Sequence, residues 1–275
     1  MPAPPLFADL VDDAGLFPPE RLPMPAAVER HRIDVAADHP VLTQRFLCPA
    51  SQLGPLRSQL RPDETVRVGL IADTGLAGLP TTLAELAAAP ALQLETVEIA
   101  LPAADLVEAA HAHMPPLTAV DARVFVELPR TSGWRDALEI VAEARLGAKV
   151  RCGGVHAELF PSRAELASFA VAVTVLGVPF KATAGLHHAV RYRDPQTGFD
   201  HHGFLNLLVA VCRAVQRADA VDVEAALAID DANVLAAEAR AVADPVARDA
   251  RRALVAYGSC STAGPIADLT GLALI

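Results

Sequence analysis

The chain has 275 residues, a net charge of −10 and no cluster of lysine and arginine, which excludes the basic face of a nucleic-acid binder. No apolar run approaches the ~20 residues of a membrane span; the longest, Phe169 to Phe180, is interrupted by Thr174, Gly177 and Pro179. The four cysteines, Cys48, Cys152, Cys212 and Cys260, are far apart and form no CxxC pair, which argues against a disulfide framework or a zinc knuckle.

The length matches an α/β fold of one (β/α)8 TIM barrel, about 250 residues, so residues 1–275 are read as a single domain. A mean hydropathy of +0.32 fits a parallel sheet covered by helices on both faces. The opening Met1-Pro-Ala-Pro-Pro-Leu-Phe-Ala-Asp9 shows no basic segment followed by an apolar one, so no secretory signal is expected. With no disulfide framework, the expected compartment is a reducing cytoplasm. Richness in Ala, Arg and Pro points to a GC-rich bacterial genome.

β-rich runs alternate with Ala/Leu-rich helical runs about every 30 residues. In chain order, a strand over Ala8–Asp13 leads to a helix around Ala26–Arg32, and one over Val41–Cys48 to a helix over Ser51–Leu60. Val66–Asp73 precedes a helix over Thr81–Ala88, Leu94–Leu101 one over Ala104–His113, and Arg123–Leu128 one over Trp134–Leu146. Lys149–Cys152 leads to Arg163–Leu176, where Ser162 and Glu165 form a capping box. Val178–Ala184 leads to Phe204–Ala218, then a further helical stretch over Val223–Val242, and Leu254–Cys260 to Ile266–Leu272. Gly147 and Gly177 sit where helix C-terminal glycines belong. Eight such units fit a closed barrel, with an open doubly wound sheet as the alternative.

Side chains alternate between strand faces, and in a barrel one face points into the lumen. Val97 and Ile99 suit the helix side, which turns Thr96 and Glu98 inward. By the same alternation Phe125 and Glu127, Lys149 and Arg151, and Lys181 and Thr183 face inward. A barrel built only for stability would fill these layers with Val, Ile and Leu. Inward charge either marks a catalytic site or forms a self-neutralising plug. Asp12, Asp13 and Asp73, at strand ends, could join the cluster or serve as solvated loop residues and caps.

Lys181-Ala-Thr-Ala-Gly185 and Gly258-Ser-Cys-Ser261 resemble the end of deoxyribose-phosphate aldolase and related class I aldolase barrels. There a Lys-x-x-Gly-Gly-like turn ends strand seven and a Gly-x-Ser-Ser-like turn ends strand eight. Glu98 and Glu127 fall where that family places acidic residues, and the resemblance covers roughly residues 149–272. In that family the Schiff-base lysine lies on strand six, in a Lys-Thr-Ser-Thr-Gly-like run. The run matched to it here is Val150-Arg151-Cys152-Gly153-Gly154, which puts Arg151 in the lysine's place, and arginine forms no Schiff base. Lys181 or Lys149 would then take the role, or the chemistry differs. The Phe180-Lys-Ala-Thr-Ala-Gly-Leu-His-His188 run is also similar to one in a bacterial barrel family to which no activity attaches.

Lys181 is the leading candidate, because burial and the neighbouring Lys149 and Arg151 should lower its pKa and free the amine; the bland alternative is an ion-pair partner for Glu127 or Glu98. Gly153, Gly154, Gly185, Gly258 and Ser259, with Thr183 beside them, could present an anion site, or the glycines could simply serve tight turns. His156, His187, His188, His201 and His202 should gather at one rim as acid–base groups, substrate contacts or metal ligands, or lie solvated in the loop. Arg191 and Arg193 could clamp a carboxylate or phosphate, and the loop Arg191–His202 could act as a lid. Cys152 and Cys260 are read as buried fillers rather than nucleophiles, and His111 and His113 as surface residues.

The expected function is a lyase or isomerase acting on a small polar carbonyl compound, phosphorylated or not. Lys181 would form the iminium or polarise the carbonyl, Glu127 or Glu98 would move protons, and Lys149 and Arg151 would stabilise developing charge. No cofactor is required by that reading. The alternatives are a metal-dependent hydrolase or isomerase, with His187, His188, His201 and His202 supplying ligands to a divalent ion, and a non-catalytic metabolite-binding barrel. The expected partner is a small molecule, with neither nucleic acid nor membrane, and the apolar outer helices could support a homodimer.

Overall fold

Eight short parallel strands close on one another in the computed structural model, which describes residues 4–275. The barrel strands are β1 (Val11–Asp13), β2 (Leu42–Pro49), β3 (Val66–Ile71), β4 (Leu92–Ala100), β5 (Arg123–Glu127), β6 (Gly147–Arg151), β7 (Phe180–Thr183) and β10 (Leu254–Ser259). A small antiparallel hairpin, β8 (Tyr192–Arg193) and β9 (Asp200–His201), is inserted after β7. Neighbours follow chain order from β1 to β7, and β10 closes the ring between β7 and β1. The intervening helices are α1 (Met24–Ala37), α2 (Leu53–Gln59), α3 (Gly75–Ala87), α4 (Leu106–Thr118), α5 (Trp134–Glu143) and α6 (Arg163–Leu176). After the hairpin come α7 (Phe204–Val215), α8 (Ala220–Ala228), α9 (Ala232–Arg240) and α10 (Asp244–Ala253), and α11 (Ala263–Gly271) follows the last strand. The chain is a (β/α)8 barrel.

The strand faces divide as the alternation requires. Val97, Ile99, Val124, Val126, Val150 and Ala182 are buried in the apolar layer that the helices cover. Burial of such a layer, at roughly 25 cal/mol per Å2 of apolar surface, is the main force holding the helices to the sheet. Ser162 accepts from the Glu165 amide while the Glu165 carboxylate accepts from the Ser162 amide, completing the capping box, and Gly177 ends α6 in the left-handed conformation. The apolar stretch Ala157–Leu176 has the length and composition of a membrane span, but its helix is interrupted at Phe160–Ser162. Its residues Leu166, Ala167, Phe169, Ala170 and Val173 are buried.

Three sequence expectations change. The stretch Val223–Val242 is two helices, because Asp231 caps α9 through the amides of Asn233 and Val234 just as Asp219 caps α8. A third helix, α10, follows unanticipated. Together they cover α7, whose residues Phe204 to Cys212 are all buried and whose Phe204 ring stacks on Tyr257. Gly147 does not end a helix: Arg145 takes the left-handed turn after α5, and Gly147 opens β6. A Cβ there would lie 2.5 Å from the Phe125 ring, so the aromatic side chain inside the barrel dictates the glycine.

Candidate active site in the barrel lumen

An unbroken series of ion pairs of alternating sign crosses the lumen. It runs Arg67, Glu95, Arg45, Asp12, Lys181, Glu98, Lys149, Glu127, Arg151. Arg67 lies near the start of β3, at the barrel floor, and Arg151 ends β6 at the mouth. Lys181 touches Glu98 and lies 2.5 Å from Asp12 Oδ2. Lys149 Nζ lies 2.7 Å from Glu98 Oε2 and 3.1 Å from Glu127 Oε2. Arg151 Nε donates to Glu127 Oε1 at 2.8 Å, while Arg45 and the Thr43 hydroxyl hold the other oxygen of Asp12 at 2.7 and 2.6 Å. Exposure rises toward the mouth, from 1% at Lys181 and 5% at Lys149 to 41% for the Arg151 side chain.

The inward placement of Glu98, Glu127, Lys149, Arg151, Lys181 and Thr183 follows the alternation, but the electrostatics differ from expectation. Like charge does not press on Lys181, because Asp12 and Glu98 stand against its ammonium and Glu98 stands between it and Lys149. Burial disfavours the charge on Lys149, but Glu98 and Glu127 outweigh burial and raise its pKa. Burial alone would raise Glu98; the two lysines pull it down to about 2. Glu127 is lowered in the same way, with Lys149 and Arg151 overcoming its burial. In the strand register Lys149 is level with Lys181, and Arg151 is level with Thr183.

The glycines at the strand ends answer to close packing. A Cβ on Gly185, whose φ is +73°, would lie 2.5 Å from the Cys152 carbonyl oxygen, and one on Gly153 would lie 2.7 Å from the Gly185 Cα. A Cβ on Gly154 would meet Leu159 at 2.3 Å, and one on Gly258 would meet Leu47 at 3.0 Å inside the barrel. Ser259 lies level with Asp13 rather than Asp12, and its hydroxyl donates to the Ser261 carbonyl at 2.7 Å. Gly153 and Gly185 let the β6 and β7 ends touch.

The rim histidines separate. His187 and His201 approach with ring centroids 5.7 Å apart, Tyr192 stacks on His201 at 4.7 Å, and the Cys260 Sγ lies 3.8 Å from His187 Nδ1. Burial and the neighbouring His201 and His188 push His187 down to about 4, so it is neutral at physiological pH. His188 is exposed against Tyr192 and lies 3.6 Å from Asp268. His202 turns away to donate from Nε2 to the Pro161 carbonyl at 2.7 Å, and His156 is exposed. The five histidines expected at one rim therefore do not converge, and among the described residues no three His, Cys, Asp or Glu side chains gather as a metal-holding group. The segment Arg191–His202 is a hairpin turned by Asp194, whose carboxylate accepts the Gln196 and Thr197 amides.

Asp12 belongs to the lumen network, but Asp13 faces the helix layer, paired with Arg30 and 3.1 Å from His31 Nδ1. Asp73 ties down the turn that leads from β2 into α2 by accepting the Ser51 amide at 3.1 Å. The cysteines are buried, and burial pushes Cys152 up to about 12, which fits a filler. Arg45, Glu95 and Arg67 join the network without being among the expected inward residues. Alternation along β2, through Thr43, Arg45 and Leu47, carries the signal for Arg45. Glu95 is the extra residue where the β3–β4 register shifts between Leu94 and Thr96, so alternation fails there.

The sequence matches no protein-family model, no curated protein and no solved structure.

Proposed function

We propose that this chain is a lyase or isomerase acting on a small polar carbonyl compound through a lumen lysine, in the manner of the class I aldolases it resembles. The observation that carries this reading is the pair Lys149 and Lys181, level on adjacent strands with Glu98 bridging their ammonium groups. The spacing to the following glycine supports it. Lys149-Val-Arg-Cys-Gly153 has the spacing of the family's Lys-Thr-Ser-Thr-Gly-like run, and Lys181-Ala-Thr-Ala-Gly185 repeats it one strand on. Lys149 is therefore the amine we assign to the Schiff base, with Lys181 as the fixed cation beside it.

An ammonium held between carboxylates is not a nucleophile, so the reaction begins with a proton transfer. A polar substrate entering past Arg151 displaces Glu127 from Lys149, the longer of that lysine's two ion pairs. Lys149 passes a proton to Glu98 or Glu127, and its nitrogen attacks the carbonyl carbon. The carbonyl oxygen takes a proton relayed from the nitrogen, and the carboxyl then returns the borrowed proton as that oxygen leaves. The net change is ammonium plus carbonyl to iminium plus water. The iminium draws electrons from the adjacent bond, which cleavage or a proton shift next to a carbonyl requires, and Lys181 and Arg151 offset the negative charge that develops.

Reduction with borohydride in the presence of small aldehydes, ketones and their phosphates tests the assignment, read by intact mass and peptide mapping. An adduct on Lys149 that is lost in Lys149→Met is expected. An adduct confined to Lys181 would transfer the nucleophile to β7. No adduct across the panel would remove the lysine mechanism.

A further inference from the structure

A cavity of about 250 Å3 lies outside the lumen, between the loop that enters α6 and the β8–β9 hairpin. Ser162, Arg163, Arg191, Asp200, His201 and His202 line it. His201 forms its inner wall, held by the Gly185 carbonyl and packed edge-on against Phe160. Two guanidinium groups line it without close partners among the described residues: Arg191 lies 3.9 Å from Asp200 and Arg163 lies 4.0 Å from Glu224, both beyond hydrogen-bond length. The N-terminus of α6, a helix of 14 residues, adds positive potential. His202 is only 4% exposed, and its Nδ1 has no hydrogen-bond partner among the described residues. Because Nε2 donates to the Pro161 carbonyl, Nδ1 carries the lone pair of a neutral imidazole. Burial, with Arg191 and Arg163 nearby, keeps that ring from protonating. A buried acceptor without a donor is costly, and the group that satisfies it must bring a hydrogen.

The geometry points to a binding site for a phosphate group that retains one proton: its anionic oxygens accept from Arg163 and Arg191, and its O–H donates to His202 Nδ1. Inorganic phosphate and a phosphorylated metabolite share this chemistry. Sulfate has the charge and shape but no proton to give. Asp200, at the cavity edge, competes with the ligand for Arg191.

The test is titration of the full-length protein with inorganic phosphate, followed by calorimetry and 31P NMR, with sulfate as comparator. Saturable phosphate binding, weaker sulfate binding and a loss of ~10-fold or more in Arg163→Ala/Arg191→Ala are expected, as for two charge-assisted hydrogen bonds. Asp200→Asn should tighten binding. Arg135→Ala, which removes a guanidinium lying over Trp134 outside this cavity, should leave binding unchanged. Absence of saturable binding, or equal affinity in the double variant, overturns the site; sulfate binding as tightly as phosphate overturns the role of His202. If the double variant does not fold, unchanged affinity in Asp200→Asn overturns the site by itself. Lys149→Met should bind phosphate like the parent chain, so the outcome is separable from that of the lysine mechanism.

Discussion

Replacing Glu98 by glutamine removes the carboxylate that two buried ammonium groups share, while keeping the side chain's volume. Afterwards, among the described residues, Lys181 keeps Asp12 and Lys149 keeps Glu127 as anionic partner. Burial opposes the Glu98 charge, yet Lys149 and Lys181 hold its pKa at about 2, against roughly 4.3 for a free glutamate. Each pKa unit corresponds to about 1.4 kcal/mol, so the folded state owes about 3 kcal/mol to this ionisation at neutral pH. That agrees with the roughly 3–5 kcal/mol lost when one partner of a buried ion pair is removed. The pKa is lower in the folded chain, so the unfolded chain binds the proton first as pH falls. The contribution is complete above the unfolded value and is lost between about pH 5 and pH 2. Urea unfolding at neutral pH and through that acid range should show Glu98→Gln less stable by about 3 kcal/mol at pH 7, with a shallower acid slope than the parent chain. A variant within ~1 kcal/mol of the parent at pH 7, or one with the same acid slope, would refute the shared-carboxylate account.

Other consequences are equally direct. In a 1H NMR titration His187 should protonate near pH 4; because its folded pKa is depressed, stability falls as pH drops from the free value of about 6.5 toward 4, and a midpoint above about 6 would contradict its burial beside His201. Gly147→Ala should lose about 1–3 kcal/mol in denaturant unfolding through the clash with Phe125, whereas Gly54→Ala in α2, with open space around it, should be neutral or stabilising; equal effects would refute the packing argument. Cys48, Cys152 and Cys212, each pushed up to about 12 by burial, should resist a thiol reagent at neutral pH until the chain is unfolded. Their modification in the folded protein would show that reagent reaches layers assigned to the core.

The barrel was legible because parallel strands under helices leave a strong local signature: apolar runs of strand length at regular spacing, each followed by a helical run. The inward charges were legible for the same reason, since a glutamate or lysine alternating with Val or Phe in such a run has only the lumen to enter. What the sequence could not convey was adjacency. Asp12 reaches Lys181, and Glu98 reaches both lysines, only once the ring closes and the strands take their register. Toward the floor, the Thr43–Leu47 alternation on β2 carries a local signal for Arg45, but the register shift hides Glu95, whose contacts to Arg45 and Arg67 are of high sequence separation. Gly147 illustrates the opposite error: a glycine directly after the expected helix Trp134–Leu146 looks like a cap, yet α5 ends at Glu143 and a ring from the neighbouring strand selects the glycine.

The layout of the network also bears on which lysine reacts. A plug that served stability alone would gain most by sealing its charges on all sides, because screening by water weakens every pair it reaches. This network is sealed at its centre, where Lys181 is held by two buried carboxylates, and opens progressively along Lys149, Glu127 and Arg151. A carbonyl compound entering from the mouth meets Arg151 and Glu127 before Lys149, and would have to pass Lys149 to reach Lys181. Lys149 can exchange Glu127 for substrate while Glu98 still neutralises it; Lys181 would have to give up Asp12 or Glu98 in the driest part of the lumen. The cheaper exchange is at β6, and that is why the borohydride adduct is expected on Lys149 and an adduct on Lys181 alone would overturn this ordering.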